Sequence, residues 1–342
     1  MTVWKIALPL RSRWMDTPSS LKGDAFVGAV PLGRDGKPLD RRQQLRAIVD
    51  MHLKYRLTAC DAGVTGHLLA LRLAEFEAEM ERYVAAGATK IYLGSAQQLL
   101  KAHADKLPTV EQYLRQKGWI DYFYVRPGFD EASSDLIPQI RAVCEAWKKV
   151  SRIPLMETYY HEEPAGLYGM LDIFCRSVSD APWIRERMAA GDRFWRVNAF
   201  TNHLETPPWT IRRSYLSFFD YRFTGTYLWT VKQWTGVAKW GEDYWCDGGV
   251  GNLAAVLMWP HETGILSTIR LEALRDAIED NALFWMLREK VQSLEGKPET
   301  DALKKARALL ADKVSPRINT VADLERLRIE AGETLSALND GR

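Results

Sequence analysis

The chain has 342 residues, 46% of them hydrophobic and 26% charged, enough to bury one large core or a core with a small appendage. Lysine and arginine number 46 against 44 aspartates and glutamates, a formal charge of +2, so no field of either sign favours nucleic acid or an anionic membrane as partner. No run approaches the roughly 18 apolar residues of a membrane span, and the start MTVWKIALPLRSRW lacks the long apolar segment of a secretory signal, so a cytoplasmic location is expected.

In chain order, short runs rich in β-branched and aromatic residues alternate with longer amphipathic ones. Strands are predicted at 3–10, 56–62, 90–94, 120–126, 155–160, 171–176, 194–200 and 226–233. Helices are predicted at 41–54, 69–86, 110–117, 134–149, 182–190 and 210–221, where apolar residues recur near every 3.6 positions. The helix at 134–149 shows the pattern: Leu136, Ile137, Ile140, Val143, Cys144 and Trp147 form one stripe. A further apolar run, 253–259, reads as an extra strand or a packed loop. Alternation repeated about eight times predicts an α/β protein, a (β/α)8 TIM-type barrel over residues 1–292. An open doubly wound sheet has no GxGxxG or phosphate-loop sequence after an early strand to support it. After the linker-like SLEGKPE, two charged amphipathic helices at 300–313 and 321–338 form a short C-terminal helical extension, 293–342. They are expected to cap the same chain or, alternatively, to pair with a second copy in a homo-oligomer. Cys60, Cys144, Cys175 and Cys246 form no CxxC pair and read as free thiols.

In a barrel of this kind the chemistry sits just beyond the C-terminal strand ends. After the fourth strand, Arg126-Pro127-Gly128 ends the pleat and is followed by Asp130 and Glu131. Neighbouring residues on a strand face opposite sides, so two adjacent carboxylates serve one cleft only where the chain has left the strand, as here. Close carboxylates push their pKa values apart, the condition for one acid and one charge-stabilising group in glycosidic cleavage. The alternative is that either acid caps the next helix. A competing group follows the fifth strand: Glu157, His161, Glu162 and Glu163, with His161 as an acid/base or metal ligand. The 13 Trp and 13 Tyr residues either fill the core or build a sugar platform. Trp195, Trp209, Trp229, Trp234, Trp240, Tyr244, Trp245 and Trp259 cluster late in the chain, and 231–252 is long, Gly-rich and aromatic, as functional loops often are.

Several segments together resemble one family. KGWIDYFYVRPGFDEASSDLIPQIRAVCEAW, GLYGMLDIFCRS, GDRFWRVNAF, GTYLWTVKQW and ILSTIRLEALRDAIEDNALFWML are similar, in order, to stretches of glycoside hydrolase family 123 and the wider group called domain of unknown function 4091. Ala132 stands where the family has Pro, and Ala277 and Asn281 also depart from its pattern. The resemblance implies a (β/α)8 glycosidase, free of cofactor and metal, removing a terminal β-linked N-acetylhexosamine, most of all N-acetylgalactosamine, from a glycan or glycoconjugate. It implies retention by substrate assistance, with Asp130 orienting the 2-acetamido group and Glu131 as acid and then base. Tyr124, Arg126, Tyr159, Trp195, Asn198, Trp229, Trp234 and Trp245 are the expected substrate-binding side chains. A glycosidase for a sugar without an acetamido group, and a non-catalytic carbohydrate-binding barrel, are the alternatives. The RLEALRDAIED helix reads as structural, its Leu271, Leu274 and Ile278 facing the core.

Overall fold

The structure, a computed structural model, describes residues 6–9, 14–19, 32–33, 35–59, 64–129, 132–159, 163–176, 181–198, 207–228, 257–261 and 264–340. Among them the strands are β1 (Pro18–Ser19), β2 (Thr58–Ala59), β3 (Ile91–Ser95), β4 (Phe123–Arg126), β5 (Met156–Thr158), β6 (Ile173–Arg176), β7 (Arg193–Asn198), β8 (Gly225–Leu228), β9 (Met258–His261) and β10 (Gly264–Ser267). The helices are α1 (Arg41–Lys54), α2 (Val64–Leu69), α3 (Leu73–Ala85), α4 (Ala96–His103), α5 (Leu107–Gln116), α6 (Ile137–Val150), α7 (Pro182–Ala189), α8 (Pro208–Asp220), α9 (Ile269–Ser293), α10 (Asp301–Ala311) and α11 (Val321–Asn339).

The first eight strands are parallel. Six pair in the order β2-β1-β8-β7-β6-β5, and β3 pairs with β4. One parallel bridge, Val125 with Leu155, joins the two groups, and the Val125 N–H donates to the Pro154 carbonyl at 2.9 Å. The strands therefore follow one another in chain order from β3 round to β8, then β1 and β2. This is an α/β architecture with the C-terminal ends of β1–β8 on the same edge. No closed barrel is present among the described residues, which corrects the expected complete ring. Among the described residues β2 and β3 share no backbone ladder. A side chain spans the gap instead: Thr58 Oγ1 lies 2.8 Å from Thr89 Oγ1 and accepts from the Thr89 N–H at 3.4 Å.

Alternation sorts the strand side chains onto two faces. Tyr124, Met156, Ile173, Cys175, Trp195 and Val197 make a buried inner cluster, with Tyr92 and Tyr227 packed against it. Phe123, Val125, Leu155, Phe174 and Phe194 face the helices in the larger outer cluster. Parity places Arg126 on the inner side with Tyr124.

Several predicted boundaries move. The predicted strand at 3–10 lies partly outside the described residues, and its described part, 6–9, forms no strand; among the described residues the first strand of the sheet is β1, whose pairing the Asp16–Gly225 bridge extends. The predicted helix at 69–86 is α3 and starts only at Leu73, because the chain turns through a left-handed Leu71 (φ 54°) after a separate helix, α2, that ends at Leu69. α4 was not anticipated; the Ser95 hydroxyl caps it by accepting from the Gln98 N–H at 3.4 Å. The run at 253–259 is described only from Leu257, after which it enters the antiparallel hairpin of β9 and β10.

The C-terminal helices pack on their own chain. Leu303, Leu309, Leu324, Leu327, Leu335 and Leu338 share one cluster with Leu216 and Phe219 of α8 and Leu283, Phe284 and Leu287 of α9. Beside it, Asp280 lies between Arg212 (2.7 Å) and Arg328 (3.4 Å), and Arg212 reaches Glu325 at 2.6 Å. The stripes that raised the prospect of pairing with a second copy are thus buried within the chain.

Candidate active site

The strand end at β4 is shaped by its sequence. Pro127 stops the ladder because it has no N–H. Gly128 follows with φ 118°, and a Cβ there would come within 2.5 Å of the Ser95 hydroxyl, so only glycine lets the turn pass this close to the start of α4. The Pro127 carbonyl accepts from the Gln97 N–H at 3.3 Å.

Beyond this turn the chain is tied to the neighbouring strand end. Arg126 Nη2 is shared among Glu157 Oε1 (2.9 Å), Thr158 Oγ1 (2.7 Å) and the Phe129 carbonyl (3.1 Å). Glu157 Oε1 accepts from the Thr158 N–H at 2.8 Å, and Glu157 Oε2 from the Phe129 N–H at 3.4 Å. The Ala132 N–H donates to the Thr158 carbonyl at 3.1 Å. Glu157 is completely buried. Burial pushes its carboxyl above the ordinary carboxylate range, opposed by the Arg126 guanidinium and by the N–H groups of Thr158 and Phe129. The guanidinium also lies 5.7 Å from the centre of the Tyr227 ring.

The inner cluster forms the floor below. Tyr124 meets Trp195 edge-on at 5.5 Å and Tyr92 at 5.6 Å. Tyr124 and Trp195 are both fully buried, so their rings present no surface to a ligand and act as floor. Tyr159 faces the other way: it sits in the helix-side core, edge-on to Phe174 at 6.1 Å, and burial drives its hydroxyl well above the usual tyrosine range. Asn198 ends β7, its side chain outside the described residues. Asp130, Glu131, Trp229, Trp234 and Trp245 also lie outside them, as do His161 and Glu162. Glu163 is exposed and accepts from the Tyr168 hydroxyl at 2.6 Å.

Among the expected residues the structure thus brings Arg126 and Tyr124 to one strand end, over Trp195, and turns Tyr159 away. Glu157, grouped in the sequence with His161–Glu163, is paired with Arg126 instead. The signal for this was present: a lone acid in the short apolar strand M-E-T, beside a strand that ends in arginine.

Eight parallel strands carry a charged cluster, Arg126 with Glu157, at their C-terminal edge. The chain is similar to a family 123 glycoside hydrolase. That solved structure, from Clostridium perfringens and reported for glycolipid glycan hydrolysis, shares 16% identity over 69% of this chain and 44% of its own, with a TM-score of 0.44. This chain therefore spans less than half of that one. Similarity also extends to N-acetylneuraminate lyase from Mycoplasma synoviae (10% identity, 94% of this chain and 97% of that, TM-score 0.37) and to dihydrodipicolinate synthase from Oceanobacillus iheyensis (13%, 96% and 98%, TM-score 0.30). No protein-family model and no curated protein matches the chain.

Proposed function

We propose that this protein is a retaining glycoside hydrolase built on a (β/α)8 barrel, removing a terminal β-linked N-acetylhexosamine, N-acetylgalactosamine above all, from a glycan or glycoconjugate. One observation carries the reading. The stretch resembling the family's acid-bearing motif leaves β4 at its C-terminal end, and Asp130 and Glu131 follow Arg126 after Pro127, Gly128 and Phe129. Active sites of parallel barrels collect at that edge.

Glu131 gives its carboxyl proton to the glycosidic oxygen as the bond from that oxygen to the anomeric carbon breaks. The acetamido carbonyl oxygen of the substrate bonds to the anomeric carbon from the opposite face. Asp130 accepts from the acetamido N–H and stabilises the positive oxazolinium ring. Glu131, now a carboxylate, takes a proton from water, whose oxygen adds to the anomeric carbon and reopens the ring. Two inversions leave the configuration retained. Arg126, already neutralised by Glu157, holds the strand end without presenting a net positive charge to a neutral sugar.

Turnover of nitrophenyl β-N-acetylgalactosaminide and β-N-acetylglucosaminide tests the reading. Glu131→Gln should lower kcat by at least about 100-fold, Asp130→Asn should do likewise, and a thiazoline analogue of the oxazoline should inhibit competitively. Full activity in Glu131→Gln removes it from the mechanism. Turnover that the thiazoline does not inhibit points to a protein nucleophile.

A further inference from the structure

A buried ion pair is an expensive way to end a strand. Taking a carboxylate out of water is unfavourable unless it is paired and fully hydrogen-bonded. The hydrogen bonds of the Arg126–Glu157 pair lead out of the strands. Both backbone groups of Phe129 are engaged by it: the carbonyl by Arg126 at 3.1 Å, the N–H by Glu157 Oε2 at 3.4 Å. The adjacent Thr158 accepts from the Ala132 N–H through its carbonyl at 3.1 Å and from Arg126 through its hydroxyl at 2.7 Å. Phe129 and Ala132 are the sequence neighbours of Asp130 and Glu131 on either side.

We propose that Glu157 is a positioning residue for the Asp130–Glu131 pair, fixing with Arg126 the backbone before the two acids while Thr158 fixes the backbone after them. The inference rests on the reading that those acids perform the chemistry. Glu157 is completely buried, with no surface to offer a substrate. Its effect is geometric, and a misplacement of about 1 Å at a reacting group costs on the order of 100-fold in rate.

The test is Glu157→Gln. Glutamine keeps the size and one carbonyl oxygen but replaces the second acceptor with an NH2 donor, so Phe129 loses its partner. Two readouts are taken: hydrogen–deuterium exchange of peptides covering residues 127–133, and kcat and KM on nitrophenyl β-N-acetylgalactosaminide. Exchange in 127–133 should rise roughly tenfold while peptides from β6 and β7 exchange as before, and kcat should fall about 10- to 100-fold with KM within about twofold. Wild-type exchange in 127–133 overturns the proposal, as does a rise that is equal across all strands. If Glu157→Gln does not fold, Thr158→Val reads the same clamp by the same exchange criterion. If the wild-type protein cleaves no nitrophenyl glycoside, the functional reading fails, and the exchange result alone decides whether Glu157 holds this segment.

Discussion

Trp195 fits beneath β8 only because residue 225 has no side chain. A Cβ on Gly225 would lie 2.5 Å from the indole, whose ring is walled in by Tyr124 and cannot swing aside. Gly225→Ala should therefore cost about 1–3 kcal/mol, the usual penalty for overpacking a filled interior, measured as a lower urea midpoint with unchanged slope. Cys144 gives a second prediction. It is fully buried beneath α6, and burial, reinforced by the charge of Glu157, pushes its thiol up to about 12. Iodoacetamide at pH 8 should leave Cys144 unmodified in the native protein and alkylate it after unfolding, as peptide mass mapping would report. The sign for stability follows. A thiol whose folded pKa is raised contributes stability in full below its unfolded pKa of about 8.5, and that contribution is lost as pH rises toward 12. Cys144→Ala should flatten the fall in stability over that interval, seen in urea melts at pH 8 and pH 10.

At the scale of elements, helix boundaries follow local chemistry that can be read before any packing is known. Asp40 and Gln43 form a reciprocal capping box on α1: Asp40 accepts from the Gln43 N–H at 2.8 Å, and Gln43 Oε1 accepts from the Asp40 N–H at 2.9 Å. Thr320 and Asp323 repeat the box on α11, and the Thr300 hydroxyl caps α10 by accepting from the Leu303 N–H at 3.2 Å. Asp40→Ala should cost about 0.5–2 kcal/mol, in a chemical melt, without altering kcat, since α1 starts on an exposed surface. Where elements were misjudged, the cause is equally local. Leu71 in the left-handed region delays the start of α3 to Leu73, where periodicity alone starts the helix at 69, because apolar spacing continues through a turn that changes the chain's direction. β1 was misplaced because two residues carry no period; what makes them a strand is pairing with β2 and β8 on either side.

At the scale of the whole molecule, the C-terminal helices and the sheet-covering helices share an ionic lock. Asp280 is fully buried on α9 and joins Arg212 of α8 to Arg328 of α11. Burial raises its carboxyl above the usual range, and the two guanidinium groups oppose that. Asp280→Ala leaves both arginines without their shared partner and should cost about 3–5 kcal/mol, read as a lower denaturation midpoint. Removing residues 295–342 would bare Leu216, Phe219, Leu283, Phe284 and Leu287 together. That apolar face should drive the shortened protein into aggregates or oligomers, detectable by light scattering at concentrations where the full chain gives a smaller species.

The sequence by itself determined the α/β class, the approximate place of most helices, and the strand after which the candidate acids follow, since periodicity, Pro-Gly turns and caps act over a few residues. The five motifs that resemble a glycosidase family, and the chemistry assigned to Asp130 and Glu131, also belong to the sequence. Only the tertiary structure decided that the strands run from β3 through β8 to β1 and β2 with a side-chain bridge at the gap, that Tyr159 turns to the helices while Trp195 is sealed in the floor, and that Glu157 answers Arg126 across two strands. These depend on register and on which face each side chain takes, and both are fixed by partners distant in the chain. A one-residue shift in pairing would reverse every such assignment while leaving the local pattern unchanged.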